Sequence, residues 1–244
     1  MAAKHLFTGG VSLSQTIQAF AATIDTAAWV VLLLLFELET FVLDDDKIKG
    51  PLKWTVHGVR ALCYLVIIYA FYGYSVKCFG LYQFAALPTS DLCTLLADST
   101  LSFMVDLDEF VSVGNDNCTA LGASNQLFGI NSGTISTDAK TLAATIRLAW
   151  VDVINSAAWL LVVLVLEIDI RLQLKGQLEG SLVSASKMVK AVLYTTLVAA
   201  AVYWGFAGDF VDFWDAFLWI VAFVFIEMNM FEWNAETTAL QEAL

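Results

Sequence analysis

The chain has 244 residues, of which 59% are apolar and only 15% are charged, and its formal net charge is −12. A soluble domain of this length is far less apolar. The acidic balance also excludes nucleic acid as a partner, because a nucleic-acid-binding surface needs basic residues to displace phosphate counterions. Composition therefore predicts an integral membrane protein whose immediate surroundings are the lipid bilayer.

Five apolar segments are long enough to cross about 30 Å of hydrocarbon, which takes roughly 20 helical residues. In chain order they cover residues 20–43, 61–84, 149–170, 188–206 and 212–233. The first eighteen residues lack the apolar core of a cleavable signal. The predicted fold class is an all-α integral membrane protein with five transmembrane helices.

The distribution of basic residues predicts the orientation. Between the first and second spans, and between the third and fourth, lie two basic clusters: Lys47, Lys49, Lys53 and Arg60, then Arg171, Lys175, Lys187 and Lys190. The positive-inside rule makes both clusters cytoplasmic, so the amino terminus lies outside and the carboxyl terminus inside. We expect the protein in a plasma membrane or an inner membrane.

Residues 86–138 form a predicted acidic insertion on the outer side, since residues 78–139 contain no Lys or Arg. We predict a helix over about 89–112, followed by turns. Cys78, Cys93 and Cys118 lie on this side, where oxidation occurs. Three pairings are open, and Cys93 with Cys118 is favoured because both lie in the insertion. The apolar side chains of the insertion require packing, either on this chain's outer surface or on a partner.

An internal repeat relates the first two spans to the third and fourth. At an offset of 130 residues, Trp29 aligns with Trp159, Gly50 with Gly180, and Tyr64 with Tyr194. No gap is needed over about forty residues, which indicates duplication of a two-helix unit. The predicted divisions are a first repeat (1–85), the insertion (86–138), a second repeat (139–206), and a fifth helix with a cytoplasmic tail (207–244).

A four-position motif occurs in the first, third and fifth spans. It consists of an acid or amide, a Trp four residues later, a Glu eight residues after that, and an acid or amide two further on. The three copies are Asp25, Trp29, Glu37 and Glu39; Asn155, Trp159, Glu167 and Asp169; and Asp215, Trp219, Glu227 and Asn229. Two crossings separate successive copies, so the three helices are predicted to run parallel and to bring each motif position to one depth.

We interpret the lower positions as a cation site in a channel or carrier. Carboxylates gathered at one depth provide the oxygen ligands that cations prefer, for a divalent or a monovalent ion alike. The predicted cation-binding residues are Glu37, Glu39, Glu167, Asp169, Glu227 and Asn229. An outer polar ring is predicted at Asp25, Asn155 and Asp215. No other cofactor is indicated.

Ion pairing is the structural alternative, because ionisable groups in membranes usually pair. Arg60 and Lys190 start the second and fourth spans, so we expect Arg60 to pair with Glu37 and Lys190 with Glu167. Glu227 then lacks a basic partner. The rival function is a non-catalytic accessory subunit of a membrane complex, while the cation hypothesis predicts a homo-oligomer or other membrane subunits. No catalytic motif is present, so we do not expect an enzyme, and a lipid-modifying enzyme is the weakest alternative.

Overall fold

The computed structural model describes residues 21–38, 50–96, 101–122, 126–130, 134–175, 177, 180–207 and 210–242, without the side chains of residues 21, 22, 174 and 229–242. Five long helices lie within this part of the chain. They are α1 (Ala21–Glu37), α2 (Pro51–Gly80), α5 (Ala139–Leu174), α6 (Ser181–Ala207) and α7 (Phe210–Glu242). Each predicted apolar span overlaps one of them, and residues 20 and 39–43 of the first span lie outside the described residues.

Among the described residues, three helical segments are both long enough and apolar enough to cross a membrane: Pro51–Gln83, Ala139–Gln173 and Ser181–Ala207. The prediction of membrane-spanning helices is confirmed for these three. Helices α1 and α7, which carry the first and third motif copies, are not among them. Five crossings therefore remain a prediction.

The insertion is not helical as predicted. It contains a five-stranded sheet in the order β1-β4-β5-β2-β3, in which the pairing of β2 with β5 is parallel and the other pairings are antiparallel. The strands are β1 (Ala85–Ala86), β2 (Ser102–Met104), β3 (Phe110–Ser112), β4 (Leu127–Ile130) and β5 (Ile135–Asp138), with short helices α3 (Leu92–Leu95) and α4 (Cys118–Leu121) between them. A wholly α-helical fold is therefore wrong for this segment.

The insertion is fastened in two ways. A disulfide joins Cys93 to Cys118, which confirms the favoured pairing. Met104 and Leu107 of the insertion pack with Cys78 of α2 and Leu142 of α5, in one buried apolar cluster. The insertion thus rests on the ends of this chain's own helices, and we call that end of the bundle the insertion end.

Asp138 joins the sheet to α5. Its carboxylate accepts hydrogen bonds from the backbone N–H groups of Lys140 and Thr141, and from the Thr141 hydroxyl. Burial acts to raise the pKa of Asp138, but these hydrogen bonds to the charged form outweigh burial and hold the pKa below its ordinary value. The cap lets α5 begin ten residues before the predicted span and carry the insertion.

The helices pack so that each contacts the next in the order α1, α2, α5, α6, α7, and α7 also contacts α1. Their shared core includes fully buried side chains from four of them: Leu32, Phe36, Val162, Leu166, Leu197 and Phe223. Gly50 and Gly180, which are 130 residues apart, precede α2 and α6 with φ angles of 64° and 53°. This left-handed conformation favours glycine.

Candidate functional site: an acidic cavity above an ion-pair layer

A stripe of side chains at four-residue spacing runs down each motif helix. The stripes are Asp25, Trp29, Leu33 and Glu37 on α1; Asn155, Trp159, Val163 and Glu167 on α5; and Asp215, Trp219, Phe223 and Glu227 on α7. Four residues turn a helix by about 400°, so neighbouring members of a stripe are about 40° apart, and the stripe winds by about 120° around the helix while it descends about 18 Å over twelve residues. The motif thus lays out four levels: polar, tryptophan, apolar and glutamate.

Glu167 is held at the glutamate level by side chains from α2. The Arg60 guanidinium lies 3.1 Å from its carboxylate, and the Tyr64 hydroxyl donates to it at 2.7 Å. Arg60 and Tyr64 are one turn apart and therefore share a helix face. Arg171 approaches from the same helix as Glu167, at 3.7 Å, but its side chain is mostly exposed. Glu167 is consequently a neutralised structural group.

Glu227 is held in the same way by side chains from α6. The Lys190 ammonium lies 2.6 Å from the Glu227 carboxylate and 3.1 Å from that of Asp169. The Tyr194 hydroxyl donates to Glu227 at 3.5 Å, and the Ser186 hydroxyl donates to Asp169 at 2.5 Å. We use the name ion-pair layer for these five residues together with three residues of the previous group: Asp169, Ser186, Lys190, Tyr194 and Glu227, with Arg60, Tyr64 and Glu167.

The predicted ion pairs are partly wrong. Arg60 was assigned to Glu37, and that pairing stays a prediction; a described ion pair joins Arg60 to Glu167, which was assigned to Lys190. Lys190 was assigned to Glu167, but it pairs with Glu227 and Asp169. The expectation that Glu227 lacks a base is therefore wrong. Each base follows one motif helix in sequence and contacts the glutamate of the next, because α2 also packs on α5, and α6 also packs on α7.

The other three predicted cation ligands are Glu37, Glu39 and Asn229. Glu37 lies half-buried at the end of α1. Glu39, and the side chain of Asn229, fall outside the described residues. Within the described part of the chain, no group of three or more His, Cys, Asp or Glu side chains is placed to hold a metal ion.

The motif tryptophans meet between the helices. The Trp29 ring lies edge-on to Trp159 and Trp219, with centroids 6.1 Å and 6.4 Å apart, and to Phe223 at 6.1 Å. The rings of Trp159 and Phe223 are 4.7 Å apart. Such offset and edge contacts stabilise aromatic clusters beyond their buried area. This aromatic cluster brings α1, α5 and α7 together at one level.

Below the tryptophans the bundle is filled with apolar side chains. Leu32, Val162, Leu166 and Phe223 each have 0% of their surface exposed. These four side chains lie between the upper polar level and the ion-pair layer. In this conformation the apolar level is closed to hydrated ions.

Above the tryptophans lies a cavity of about 460 Å³. It is lined by residues from all five long helices and from the β2–β3 turn. The predicted outer ring, Asp25, Asn155 and Asp215, contributes to its wall, so the structure brings these three residues to one space. We call this space the acidic cavity.

Further acids line the acidic cavity that the sequence motif did not include: Asp108, Asp152 and Asp212. Asp152 and Asp212 are 60 residues apart and three residues before Asn155 and Asp215, so extending the motif by one turn would have found them. Asp108 comes from the insertion and forms an ion pair with Lys77 of α2. Long-range packing places it, and no local sequence signal does.

Two polar atoms at the acidic cavity are buried without a hydrogen-bond donor among the described residues. They are one carboxylate oxygen of Asp25 and the side-chain oxygen of Asn155. Both atoms are acceptors. A buried acceptor without a donor is uncommon and unfavourable, because it has lost water without replacing it. Asp25 and Asn155, which both line the acidic cavity, therefore have acceptor capacity that no described residue uses.

Comparison with known proteins gives no match among family models, curated proteins or solved structures.

Proposed function

We propose that this chain is a cation-binding membrane protein, a carrier or a channel, whose cation binds in the acidic cavity. The observation that carries the proposal is the charge of the wall. Five carboxylates line the cavity, namely Asp25, Asp108, Asp152, Asp212 and Asp215, and its described lining includes no Lys or Arg. Charges of one sign in a cleft with low-dielectric walls raise the local concentration of counterions, so these carboxylates attract cations.

The ion-pair layer has a supporting role in this proposal. Arg60 and Lys190 have 8% and 5% of their surface exposed, and each already contacts a motif carboxylate. A cation that binds at that level would have to displace Arg60 or Lys190, which are side chains of the protein and cannot diffuse away. We therefore assign cation binding to the acidic cavity and helix registration to the ion-pair layer.

The proposal includes five crossings, with the insertion outside and both basic clusters in the cytoplasm. It also includes descent from a duplicated two-helix unit. Two pairs of equivalent features support the duplication. Tyr64 and Tyr194 are 130 residues apart, and each donates to a motif glutamate. Gly50 and Gly180 have the same relation and similar positive φ angles.

Calorimetric titration tests the proposal. The protein is placed in nanodiscs of zwitterionic lipid, which do not bind cations through their headgroups, and is titrated with salts of monovalent, divalent and alkylammonium cations. We expect saturable binding of at least one cation. The Asp25→Asn/Asp215→Asn variant should lose it, because two carboxylates leave the wall while the shapes remain.

The matched control removes two carboxylates from outside the cavity. Glu109→Gln/Asp116→Asn lowers the negative charge equally, and both side chains are exposed on the insertion. This variant should keep the binding of the unmodified protein. Absence of saturable binding by every cation, or equal loss in both variants, would overturn the proposal.

A non-catalytic accessory subunit of a larger membrane complex is the second candidate. The ion-pair layer favours it, since paired carboxylates fix helix register and need no transported ion. Purification in mild detergent, followed by a subunit inventory, separates the two. Unlike chains that co-purify in fixed ratio, with no cation bound by the assembly, would favour the accessory subunit.

A further inference from the structure

We propose that the acidic cavity selects an organic cation that carries N–H donors, an aliphatic diamine or polyamine, rather than a metal ion. This inference rests on the proposed function and specifies its ligand. Four features of the acidic cavity support it: its aromatic wall, its volume, its unpartnered acceptors and the vertical arrangement of its carboxylates.

The wall is aromatic as well as acidic. The motif tryptophans form its floor, because they lie one helical turn below the polar level, and further rings come from α2, α6 and α7. The aromatic lining residues are Trp29, Phe71, Tyr74, Trp159, Trp204, Trp219 and Phe223. Aromatic faces attract cations, and they favour alkylated ammonium groups that shed water readily. A metal ion gains little from such a wall.

The volume and the acid geometry also disfavour a metal ion. A cavity of about 460 Å³ falls in the range that small organic ligands occupy, roughly 300–1,000 Å³. A bound calcium ion instead needs six to eight oxygen atoms at roughly 2.3–2.6 Å. The described acids form no cluster of that kind. The acidic cavity surrounds a molecule better than it chelates an ion.

The unpartnered acceptors specify a cation with N–H groups. The buried oxygens of Asp25 and Asn155 require donors, which a primary ammonium supplies in three directions. A quaternary ammonium has none. The chain itself shows the preferred contact, since the primary ammonium of Lys77 pairs with Asp108 of the cavity wall.

The carboxylates stand at two heights, which favours more than one ammonium group. Asp152 and Asp212 lie three residues above Asn155 and Asp215, a rise of about 4.5 Å. Asp108 adds a carboxylate from the insertion. A flexible diammonium chain can place one charge among the lower acceptors and the other beside the upper acids.

The test compares two dications with the same six-carbon spacing. Hexane-1,6-diammonium carries N–H donors at both ends, whereas hexamethonium carries methyl groups there instead. Both are titrated calorimetrically into the protein in zwitterionic nanodiscs, alongside sodium and calcium chloride. We expect hexane-1,6-diammonium to bind at least tenfold more tightly than the other three, because only it combines N–H donors for the acceptors with an alkyl chain that packs on the aromatic floor.

Two substitutions at Trp219 test the aromatic floor. Trp219→Leu keeps an apolar side chain but removes the π face, and should raise the Kd of the diammonium about tenfold. Trp219→Phe keeps a π face and should recover most of the affinity. A thermal unfolding curve for each variant shows whether it is folded. If Trp219→Leu fails to fold, the comparison of Trp219→Phe with the unmodified protein and the ligand pair still decide the question.

The outcomes separate this inference from the proposed function. Tighter binding of calcium or sodium that depends on Asp25 overturns the inference and leaves the proposed function standing. Equal binding of hexamethonium and hexane-1,6-diammonium overturns the assignment of N–H donors. Binding by none of these cations, nor by the others in the panel, overturns the proposed function and the inference together.

Discussion

Lys190 is the residue whose removal most directly tests the ion-pair layer. Its side chain is 6% exposed, and its ammonium contacts Asp169 and Glu227, whose side chains are 5% and 10% exposed. Lys190→Met preserves length and apolar volume but leaves both carboxylates without that base. Breaking a buried pair by removing one partner costs roughly 3–5 kcal/mol, because the remaining charge is buried and uncompensated.

Arg171→Gln provides the matched control. Arg171 also pairs with a motif glutamate, at 3.7 Å, but its side chain is 76% exposed and the pair spans one helical turn. Exposed pairs of this type contribute about 0.3–0.5 kcal/mol. Removal of one base should therefore be about tenfold more costly in free energy at position 190 than at position 171, because Lys190 is buried and contacts two carboxylates, whereas the partner of Arg171 keeps Arg60.

Glu227→Gln is expected to fall between the two. The amide keeps an acceptor for the Tyr194 hydroxyl, and Lys190 keeps Asp169, so the loss should be roughly 1–3 kcal/mol. In the triple variant Lys190→Met/Asp169→Asn/Glu227→Gln no unpaired charge remains in the triad. This variant should be more stable than Lys190→Met alone, a non-additivity that identifies coupling.

The free energy of unfolding is measured by equilibrium denaturation in mixed detergent micelles, followed by helical circular dichroism. The variants should rank Lys190→Met, Glu227→Gln and Arg171→Gln, from most to least destabilised. If Lys190→Met is no more destabilised than Arg171→Gln, the buried triad does not stabilise the bundle. The structural role assigned to it is then wrong.

Three further predictions follow from other parts of the molecule. Phe223→Ala should cost about 3–5 kcal/mol of unfolding free energy in the same assay, because a fully buried ring that contacts two tryptophans leaves a cavity. Replacement of Cys93 and Cys118 by Ser removes a disulfide of sequence separation 25 and should lower the free energy of unfolding by about 3 kcal/mol. The expected result is faster proteolysis of the insertion than in the parent protein with its disulfide intact. A cysteine at Lys53 should react with a membrane-impermeant reagent only from the cytoplasm and one at Ser112 only from outside; the reverse pattern would invert the proposed topology.

Helix positions were predictable from the sequence because the apolar runs are long. Each predicted span lies within or close to an observed helix, and the four-residue stripe from Asn155 to Glu167 follows from helical periodicity. The ends were less predictable. Helix α5 begins at Ala139 because Asp138 caps it and the insertion packs on its first turns, which are tertiary causes.

The sheet was missed because its strands are only two to four residues long. Apolar runs of that length do not distinguish strand from helix, and the pairing of β2 with β5 joins Ser102 to Ile135, far along the chain. Local propensity could not reveal such a contact. The favoured disulfide was correct because it required only that two cysteines lie in the same insertion.

The error in ion pairing has a geometric cause. The predicted repeat aligns Arg60 with Lys190, but it does not show which neighbouring helix each one faces. Helix α6 lies between α5 and α7, and the side chain of Lys190 contacts Glu227 of α7, whereas Glu167 was predicted. Tyr64 and Tyr194 carried a usable signal, because each stands one turn after a base and adds a hydroxyl to the same face.

The two polar levels solve the problem of acidic residues in a bilayer in different ways. A carboxylate at membrane depth needs a partner, because hydrocarbon does not solvate it. Among the described contacts, the basic partners of the ion-pair layer include Arg60 of α2 and Lys190 of α6. The acidic cavity has more carboxylates than its one described lysine pair can neutralise, together with acceptors that lack donors. The fully buried apolar level keeps the two sets of charges apart, so the proposed cation of the cavity would come from solution and not from the layer below. The same separation means that passage of a cation through the bundle would require α1, α5 and α7 to part at the tryptophan and apolar levels, which favours a carrier or a gated channel over a permanently open pore.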